Sequence, residues 1–430
     1  MSSAPSSDEF AETTGRPVPL ARAARTIEEV ESLRETWDQL KECRPSASLF
    51  SDIDFFLSGV AAEGDRVRPH VISLNHPEAG ALLIAGTIRR IRFTPTVGYL
   101  KLRLFRKPRH CLYVPPGGLL GAAEGDGAAA LITTRLLREL QDPGIDWVYL
   151  SHLPLDSNLA RLVRTAPGLL VRARFPTLST NFTMSIPNDP ALFFAARSKN
   201  HRKNLRKLLN RLERDFAGKV HVSCVRKSDD VDSFCRKAET IANTTYQRAM
   251  DVGFVDSPGE RERLRTAARR GMLRSYLLTV EGKPVSFLCG LQCGGTFFAE
   301  NLGYVRDMER YRVGTFLFVR IVEDLCTDEG IVRLDFGSGT GTWKERYADD
   351  RSRDISIRIF SPGFTGAAMN ITRSLAELLT RLGLKVSQGT GLYGWLKKRW
   401  RNLLGREAAG SEKGACLRGG LSGENGRRCR

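Results

Sequence analysis

Two segments of this chain follow one pattern. RLLRELQDPGIDWVYL at 135–150 and RIVEDLCTDEGIVRLDF at 320–336 share an arginine, the spacing of their helical apolar residues, a Gly-Ile turn and a closing strand, with one residue inserted in the second. Each segment also follows a strand-turn-strand pattern, which is clearest in SYLLTVEGKPVSFLCGLQ at 275–292. We interpret this as an internal duplication of a hairpin, helix and strand unit. Chance similarity between two helix-to-strand units is the alternative.

Length and composition limit the number of domains and the class of protein. The 430 residues predict two or three domains, and 41% apolar with 27% charged residues exclude wholesale disorder. The start, MSSAPSSDEFAETTG, carries acids where a signal peptide needs basic residues, and no run approaches the roughly 18 apolar residues of a membrane span. Nine cysteines are scattered without a CxxC pair or a histidine cluster at zinc spacing. These patterns predict a cytoplasmic protein without a metal site.

The pattern divides the chain into five parts. Both ends are rich in small or charged residues, which predicts disorder, and a Thr-capped helical stretch begins the first domain. The predicted parts are a disordered lead-in at 1–25, a first domain at 26–182, a second domain at 183–365, amphipathic helices at 366–404 and a disordered basic tail at 405–430.

A basic amphipathic helix is predicted at 198–216, SKNHRKNLRKLLNRLERDF. Its apolar stripe is Leu205, Leu208, Leu209, Leu212 and Phe216, and lysines and arginines occupy the remaining surface. A second apolar stripe, after Gly363, comprises Ile371, Leu375, Leu378, Leu379 and Leu382.

With these motifs, the sequence resembles double-domain members of the GNAT acyltransferase superfamily. It is most similar to the bacterial group associated with cellulose and exopolysaccharide biosynthesis, whose relatives include the Fem-type aminoacyl transferases. The resemblance spans about 26–365 and rests on SKNHRKNLRKLLNRL at 198, NLGYVRDMERYRVGTFLF at 301 and IVRLDFGSGTGTWKERYADD at 331. Trp343-Lys344 stands where Tyr-Lys or Phe-Lys is more usual. The implied fold is α/β with a mixed sheet, built as two tandem GNAT-like domains with helices on both faces.

The resemblance also implies acetyl-CoA or another acyl-CoA as co-substrate. A GNAT fold points the N-terminus of a helix at the pyrophosphate, where free N–H groups and the helix dipole face the anion. The expected segment departs from the family pattern Q/R-x-x-G-x-G/A, keeping one glycine and nearby arginines; an ordinary helix start is the alternative. It comprises Arg310, Tyr311, Arg312, Val313, Gly314 and Thr315. The first domain lacks a basic residue there and is expected to be a degenerate scaffold.

Three residues are candidates for the chemistry of acyl transfer, which needs a base, polarisation of the carbonyl and a proton for the thiolate. Glu300 interrupts the apolar strand FFAENLGY and is the candidate base, or alternatively a rim residue paired with an arginine. Asp335 ends a strand, where it serves either the reaction or the following glycine turn. Lys344 is expected to bind an anionic group, or else is a solvated lysine. The candidate substrate-binding residues are Arg202, Arg206, Tyr304, Trp343 and Tyr347.

The predicted function is N- or O-acyl transfer to a small-molecule or glycan-linked acceptor in envelope or polysaccharide synthesis. One alternative is a Fem-like aminoacyl transferase that grips charged tRNA with helix 198–216, although no aromatic residues interleave with its cations for base stacking. Another is a non-catalytic scaffold of a polysaccharide synthase complex. A methyltransferase is disfavoured, because the residues after LDFGSGTG at 334–341 are too polar for the buried helix that such a fold requires.

The C-terminal segment WLKKRWRNLLGR at 395–406 mixes tryptophans and leucines with five basic residues. This mixture suits an interfacial helix on an anionic membrane, which would make the protein peripheral at the inner face of the cytoplasmic membrane. A helix packed on the second domain is the alternative.

Overall fold

The computed structural model describes residues 22–42, 48–77, 80–98, 100–123, 125–245, 253–339 and 341–389. None of the helices in these ranges is long and apolar enough to cross a membrane. The helices are α1 Ile27–Glu31, α2 Arg34–Glu42, α3 Ile53–Glu63, α4 Asp126–Glu139, α5 Asn158–Thr165, α6 Pro190–Ala195, α7 Lys199–Asp215, α8 Val231–Asn243, α9 Pro258–Arg269, α10 Val313–Cys326, α11 Thr342–Tyr347 and α12 Phe364–Gly389.

The strands form a large mixed sheet and one small hairpin. They are β1 Arg22–Ala24, β2 Val67–His76, β3 Gly80–Ile91, β4 Thr96–Val97, β5 Leu100–Lys101, β6 Arg109–Val114, β7 Leu119–Leu120, β8 Trp147–Pro154, β9 Thr177–Ser185, β10 Val220–Val225, β11 Ser275–Val280, β12 Lys283–Cys293, β13 Thr296–Tyr304, β14 Arg333–Ser338 and β15 Asp350–Phe360. The large sheet has the order β1-β2-β3-β6-β8-β15-β9-β14-β13-β12-β11-β10, with β7 beside β3, whereas β4 and β5 pair with each other.

The sheet repeats one arrangement in its two halves. In the first half, the hairpin β2–β3 is followed by β6, and helix α4 connects β6 to its parallel neighbour β8. In the second half, the hairpin β11–β12 is followed by β13, and helix α10 connects β13 to its parallel neighbour β14. A helix is the usual connection between adjacent parallel strands. The predicted mixed α/β fold with tandem copies is confirmed.

Two strands cross between the halves and join them into one sheet. Strand β9 pairs with β14 on one side and with β15 on the other. Strand β15, near the end of the predicted second domain, pairs with β8 of the first half. The predicted boundary at residue 182 therefore falls inside β9.

Helices cover both faces of the second half. On one face, α7 and α10 share a core with β11–β14; it includes Leu205, Leu209 and Leu212 of the predicted apolar stripe, against which Leu208 and Phe216 pack. On the other face, α8 and α9 pack on β11 and β12 through a separate core. Because α10 is buried along most of its length, its first residues are held in a fixed position at the end of β13.

Helix α12 carries the predicted second stripe, and its five residues lie on one exposed face. The opposite side of the helix packs inward through Met369 and Ala376. The segment 395–406 lies outside the described residues, so its contact with a membrane stays a prediction.

Candidate active site

The parallel strands β13 and β14 pair only at their beginnings, where Thr296 to Phe298 lie opposite Arg333 to Asp335. Where that pairing ends, a cleft of about 540 Å³ lies beside the strands. Its walls come from β13, from the first residues of α10 and from α11, together with Thr245, two residues after the end of α8. The cleft is therefore reached by residues from both faces of the sheet.

The N-terminus of α10 forms one wall of this cleft. Arg312 precedes the helix with φ 48°, a left-handed conformation that costs a non-glycine residue about 1 kcal/mol or more. The N–H of Thr315 donates to the carbonyl of Arg312 over 2.8 Å. Helix geometry leaves the N–H groups of Val313 and Gly314 without intrahelical acceptors. The expected acyl-CoA motif, Q/R-x-x-G-x-G/A, has two glycine positions. When Gly314 is aligned with the second of them, Arg312 occupies the first.

A second cavity of about 400 Å³ lies between the basic helix α7 and the same helix start. Arg312, Thr315 and Tyr347 line both cavities. The second cavity is also lined by His201, Asn204, Leu205, Leu208 and Arg346.

The charge in this second cavity is positive. Burial lowers the pKa of His201, and the charges of Arg346, Arg197 and Arg312 lower it further. Burial also lowers the pKa of Arg197, which lies over the rings of Phe193 and Tyr347. Cations beside a helix N-terminus favour a bound anion, because they add to the positive end of the helix dipole.

Glu300 lies on the wall of the cleft at a bulge in β13. Cys289 pairs with Asn301 and Gly290 with Ala299, so Glu300 is the extra residue. Bulges re-aim side chains and are common beside active sites. Both carboxylate oxygens of Glu300 accept hydrogen bonds from Arg263 of α9, at 3.1 and 2.7 Å.

Arg263 also holds Glu260, at 2.7 and 2.8 Å. Burial disfavours the charge of Arg263, but the two carboxylates outweigh it and raise the pKa of Arg263 well above its usual value. Glu260, Glu300 and Cys289 place ligand-type atoms within 4.8 Å of one another. Because the guanidinium of Arg263 already bonds all four carboxylate oxygens of Glu260 and Glu300, this donor set fits an ion pair better than a metal ion.

Asp335 and Lys344 both bond to the glycine-containing end of β14, because the strand continues past Asp335 to Ser338 and does not end at Asp335 as expected. The carboxylate of Asp335 accepts from the N–H of Gly337 over 2.6 Å and from Nδ2 of Asn181 over 3.1 Å. Nζ of Lys344 donates to the carbonyls of Gly337 and Ser338, at 3.2 and 3.1 Å. Burial lowers the pKa of Lys344, and the charge of Asp335 opposes that shift. Lys344 lines the cleft, whereas Asp335 is absent from the described residues that line it.

Aromatic side chains close the cleft around α11. The ring of Trp343 packs edge-on against Phe336 and Phe318, with centroids 5.2 and 5.8 Å apart. The Tyr347 ring lies 4.7 Å from Phe318, and burial raises the pKa of the Tyr347 hydroxyl. Together with Tyr304, these rings make one side of the cleft apolar.

Of the predicted cofactor-binding residues, some line the cleft and others do not. Arg312, Gly314 and Thr315 line the cleft. The side chains of Tyr311 and Val313 belong to the hydrophobic core, so only the backbone of these two residues is left for the expected anion site. Arg310 stacks on Tyr311.

Arg202 and Arg206 of α7 are absent from the described residues lining either cavity. Arg202 instead donates to the carbonyl of Ala195 over 3.1 Å. Their predicted role in substrate binding stays a prediction, since the helical turn directs His201, Asn204 and Leu208 into the second cavity instead.

Three contributors were missed by sequence reasoning. Arg263 lies 37 positions before Glu300, and no local pattern links the two residues. His201 and Arg346 come from different helices and meet only at the start of α10. The one available signal was the cation-rich pattern of 198–216, which pointed to the correct helix but not to the histidine.

Comparison with known families assigns part of the chain. Residues 199–345 match the family model described as an acetyltransferase (GNAT) domain. This range contains α7, all of α10 and every residue lining the cleft except Tyr347. No curated protein matches the chain.

Solved structures match over most of the chain. FemX aligns with a TM-score of 0.50 at 8% identity, covering 76% of this chain and 95% of that protein. The C-terminal domain of a putative lysylphosphatidylglycerol synthetase from Agrobacterium fabrum aligns at 0.46 and 13% identity, covering 79% and 96%. A tandem GNAT protein from the clavulanic acid biosynthesis pathway aligns at 0.44 and 9% identity, covering 80% and 99%. At 8% identity the likeness to FemX concerns the fold, and the chain carries a GNAT-domain acyltransferase fold.

Proposed function

We propose that this chain transfers an acyl group from acyl-CoA to an amine or hydroxyl in the cleft of its second half. The observation that carries the proposal is the start of α10, where Arg312, Arg346 and His201 converge on the N–H groups that helix geometry leaves without intrahelical acceptors. This arrangement suits a pyrophosphate, since backbone donors and fixed cations both favour a multiply charged anion. The matched acetyltransferase domain supports the same conclusion.

In this proposal the role of each residue follows from its position in the cleft. The N–H groups of Val313 and Gly314 hold the pyrophosphate, and the opening between β13 and β14 admits the thioester arm. Glu300 takes the proton from the attacking amine or hydroxyl, and Arg263 keeps its carboxylate oriented. Tyr304 and Tyr347 are the candidate proton donors to the departing thiolate, because both line the cleft. Lys344 binds an anionic group of the substrate, once released from the carbonyls that hold it.

Calorimetry of the full chain with acetyl-CoA tests the proposal, and free CoA serves to separate pyrophosphate binding from acyl-group binding. We expect both to bind with a one-to-one stoichiometry and acetyl-CoA to be consumed when an acceptor is supplied. Absence of binding for both ligands contradicts the proposal and favours a non-catalytic scaffold.

A Fem-like transferase that uses charged tRNA is the second candidate. The observation in its favour is that Lys199, Lys203, Arg206, Lys207 and Arg211 of α7 are exposed beside the second cavity. Phosphate contacts of this kind make affinity fall steeply with salt. Binding of bulk tRNA that is lost at high salt, with no binding of acetyl-CoA, supports this candidate over the first.

We propose an acceptor from envelope or exopolysaccharide synthesis, either a small molecule or a glycan-linked group, on the resemblance of the sequence motifs. A screen of amino sugars, sugar alcohols and amino acids for acetyl-CoA turnover tests it. Turnover only with acceptors that contain no sugar contradicts the glycan assignment while leaving acyl transfer intact.

A further inference from the structure

The outer face of α12 is apolar and exposed. Ile371, Leu375, Leu378, Leu379 and Leu382 lie on this face, and each is between 44% and 55% exposed. Phe364, at the start of the helix, is 91% exposed. Contiguous apolar surface of this kind marks a site of contact with another molecule or a membrane.

Two neighbouring segments extend the surface beyond the helix. The hairpin β4–β5 is attached to α12 by the N–H of Gly98, which donates to Oγ1 of Thr380 over 2.8 Å. Leu100 and Leu104, on and after this hairpin, are also exposed. Near the beginning of the helix, Asn370 donates to the carbonyl of Leu170 over 2.8 Å, and Leu170 is exposed too. We call this combined surface the apolar ridge.

The segment that borders the ridge is strongly basic. Residues 80–123 contain eight lysines and arginines and no aspartate or glutamate. Six of the eight are exposed, namely Arg90, Arg92, Lys101, Arg103, Arg106 and Lys107. Exposed leucines and cations therefore occupy the same part of the surface, around the hairpin β4–β5.

We propose that the apolar ridge and the basic segment 90–107 dock this protein on the surface of a bilayer that contains anionic lipid. The leucines of α12 would enter the boundary between headgroups and acyl chains, while the basic residues face the phosphates. Each basic residue near an anionic surface strengthens binding several-fold, so the apolar and electrostatic contributions act together.

Charge complementarity favours a bilayer over two other candidates for covering the apolar ridge, namely a second copy of the chain and its own C-terminal segment. In a twofold dimer through this face, two sets of like cations would approach each other. The C-terminal segment 396–430 contains ten basic and three acidic residues, so it shares the sign of the surface it would have to cover. An anionic bilayer has the opposite sign and presents an apolar layer beneath its charges.

Sedimentation of the full chain with vesicles tests the proposal, comparing pure phosphatidylcholine with vesicles that contain phosphatidylglycerol. We expect binding to the anionic vesicles only. The double variant Leu375→Gln/Leu379→Gln should lose most of this binding, and the triple variant Arg103→Gln/Arg106→Gln/Lys107→Gln should weaken it by about 100-fold. Both variants alter exposed side chains, so circular dichroism should show unchanged folding.

Matched control variants replace exposed leucines and basic residues that lie outside the ridge and the basic segment. Leu178→Gln/Leu192→Gln replaces two exposed leucines, one in β9 and one in α6, and Arg226→Gln/Lys227→Gln/Lys237→Gln removes three exposed charges from the second half. Both controls should bind vesicles as the unaltered chain does.

Three results would overturn the proposal. The first is equal binding by the ridge variants and their controls. The second is that substitution of Lys397, Lys398, Arg399 and Arg401 abolishes vesicle binding while the ridge variants bind normally. That result would assign the anchor to the C-terminal segment. The third is a dimer in sedimentation velocity that the double leucine variant dissociates, with no vesicle binding by either form.

Discussion

The ring of Tyr304 lies directly over Gly314. A Cβ added to Gly314 would stand 3.0 Å from Cδ1 of that ring, closer than ordinary contact allows. Strand β13 thus ends against the first turn of α10, and the absence of a side chain at position 314 lets the Tyr304 ring pack against that turn beside the cleft.

Substitution of Gly314 tests whether this N-terminus binds the pyrophosphate. Gly314→Val should displace Tyr304 and obstruct the N–H groups, so we expect CoA binding to be lost while the chain remains folded. Gly314→Ala needs a shift of only a few tenths of an ångström and should weaken binding much less. Calorimetry with CoA measures both variants, and normal affinity in the valine variant would place the pyrophosphate elsewhere.

Arg312 combines a strained backbone with a charge at the same site. Arg312→Ala keeps the left-handed strain and removes the charge, whereas Arg312→Gly removes both. We therefore expect both variants to bind CoA more weakly, and the alanine variant to be less stable than the glycine variant by about 1 kcal/mol. Urea denaturation beside calorimetry separates the two effects. Unaltered CoA affinity in both variants would exclude Arg312 from the anion site.

Glu300 and Glu260 both bond to Arg263, but Glu300 alone of the two lines the cleft. Substituting each in turn therefore separates a role in the reaction from a role in the ion pair. Glu300→Gln should lower kcat by about 100-fold or more, as expected for loss of a general base, with little change in KM for acyl-CoA. Glu260→Gln disturbs the same ion pair without changing a cleft residue and should keep kcat near that of the unaltered enzyme. If the two variants lose activity equally, Glu300 acts through the structure of the ion pair and not as a base.

His201 predicts a specific pH dependence of ligand binding. Its pKa is lowered by burial and by Arg346, Arg197 and Arg312, so the ring is neutral in the free protein at pH 7. A bound pyrophosphate would offset those positive charges and raise the pKa again, so that binding takes up a proton. Affinity for CoA should therefore increase as the pH falls below about 6.5, the ordinary pKa of histidine.

The matching control is His201→Asn, which should remove that part of the pH dependence. Calorimetry in two buffers of different ionisation enthalpy counts the protons directly. A profile that is the same in both proteins would separate His201 from the ligand.

His201 has the opposite effect on folding. Because its pKa is lower in the folded state, the unfolded chain binds the proton first as the pH falls. Its contribution to stability is therefore present above about pH 6.5 and decreases below it, whereas His201→Asn should show a flatter stability profile over that range.

The sequence determined the architecture of this protein. Repetition of the hairpin, helix and strand pattern predicted two copies of one unit, and the periodicity of Leu205, Leu209 and Leu212 identified the buried side of α7. It also located the start of α10, because Gly314 and its neighbouring arginines form a local pattern. These features depend on residues close together in the chain, where periodicity and backbone preference act directly.

Only the tertiary structure decided which side chains meet. Arg263 reaches Glu300 because α9 covers the sheet face toward which the bulge directs that carboxylate. The structure also assigned Asp335 to the glycine-containing end of β14, and it left the leucines of α12 exposed although their spacing is that of a buried stripe. Periodicity specifies that a helix has an apolar face, but what covers that face depends on the packing of distant elements and on partners outside the chain.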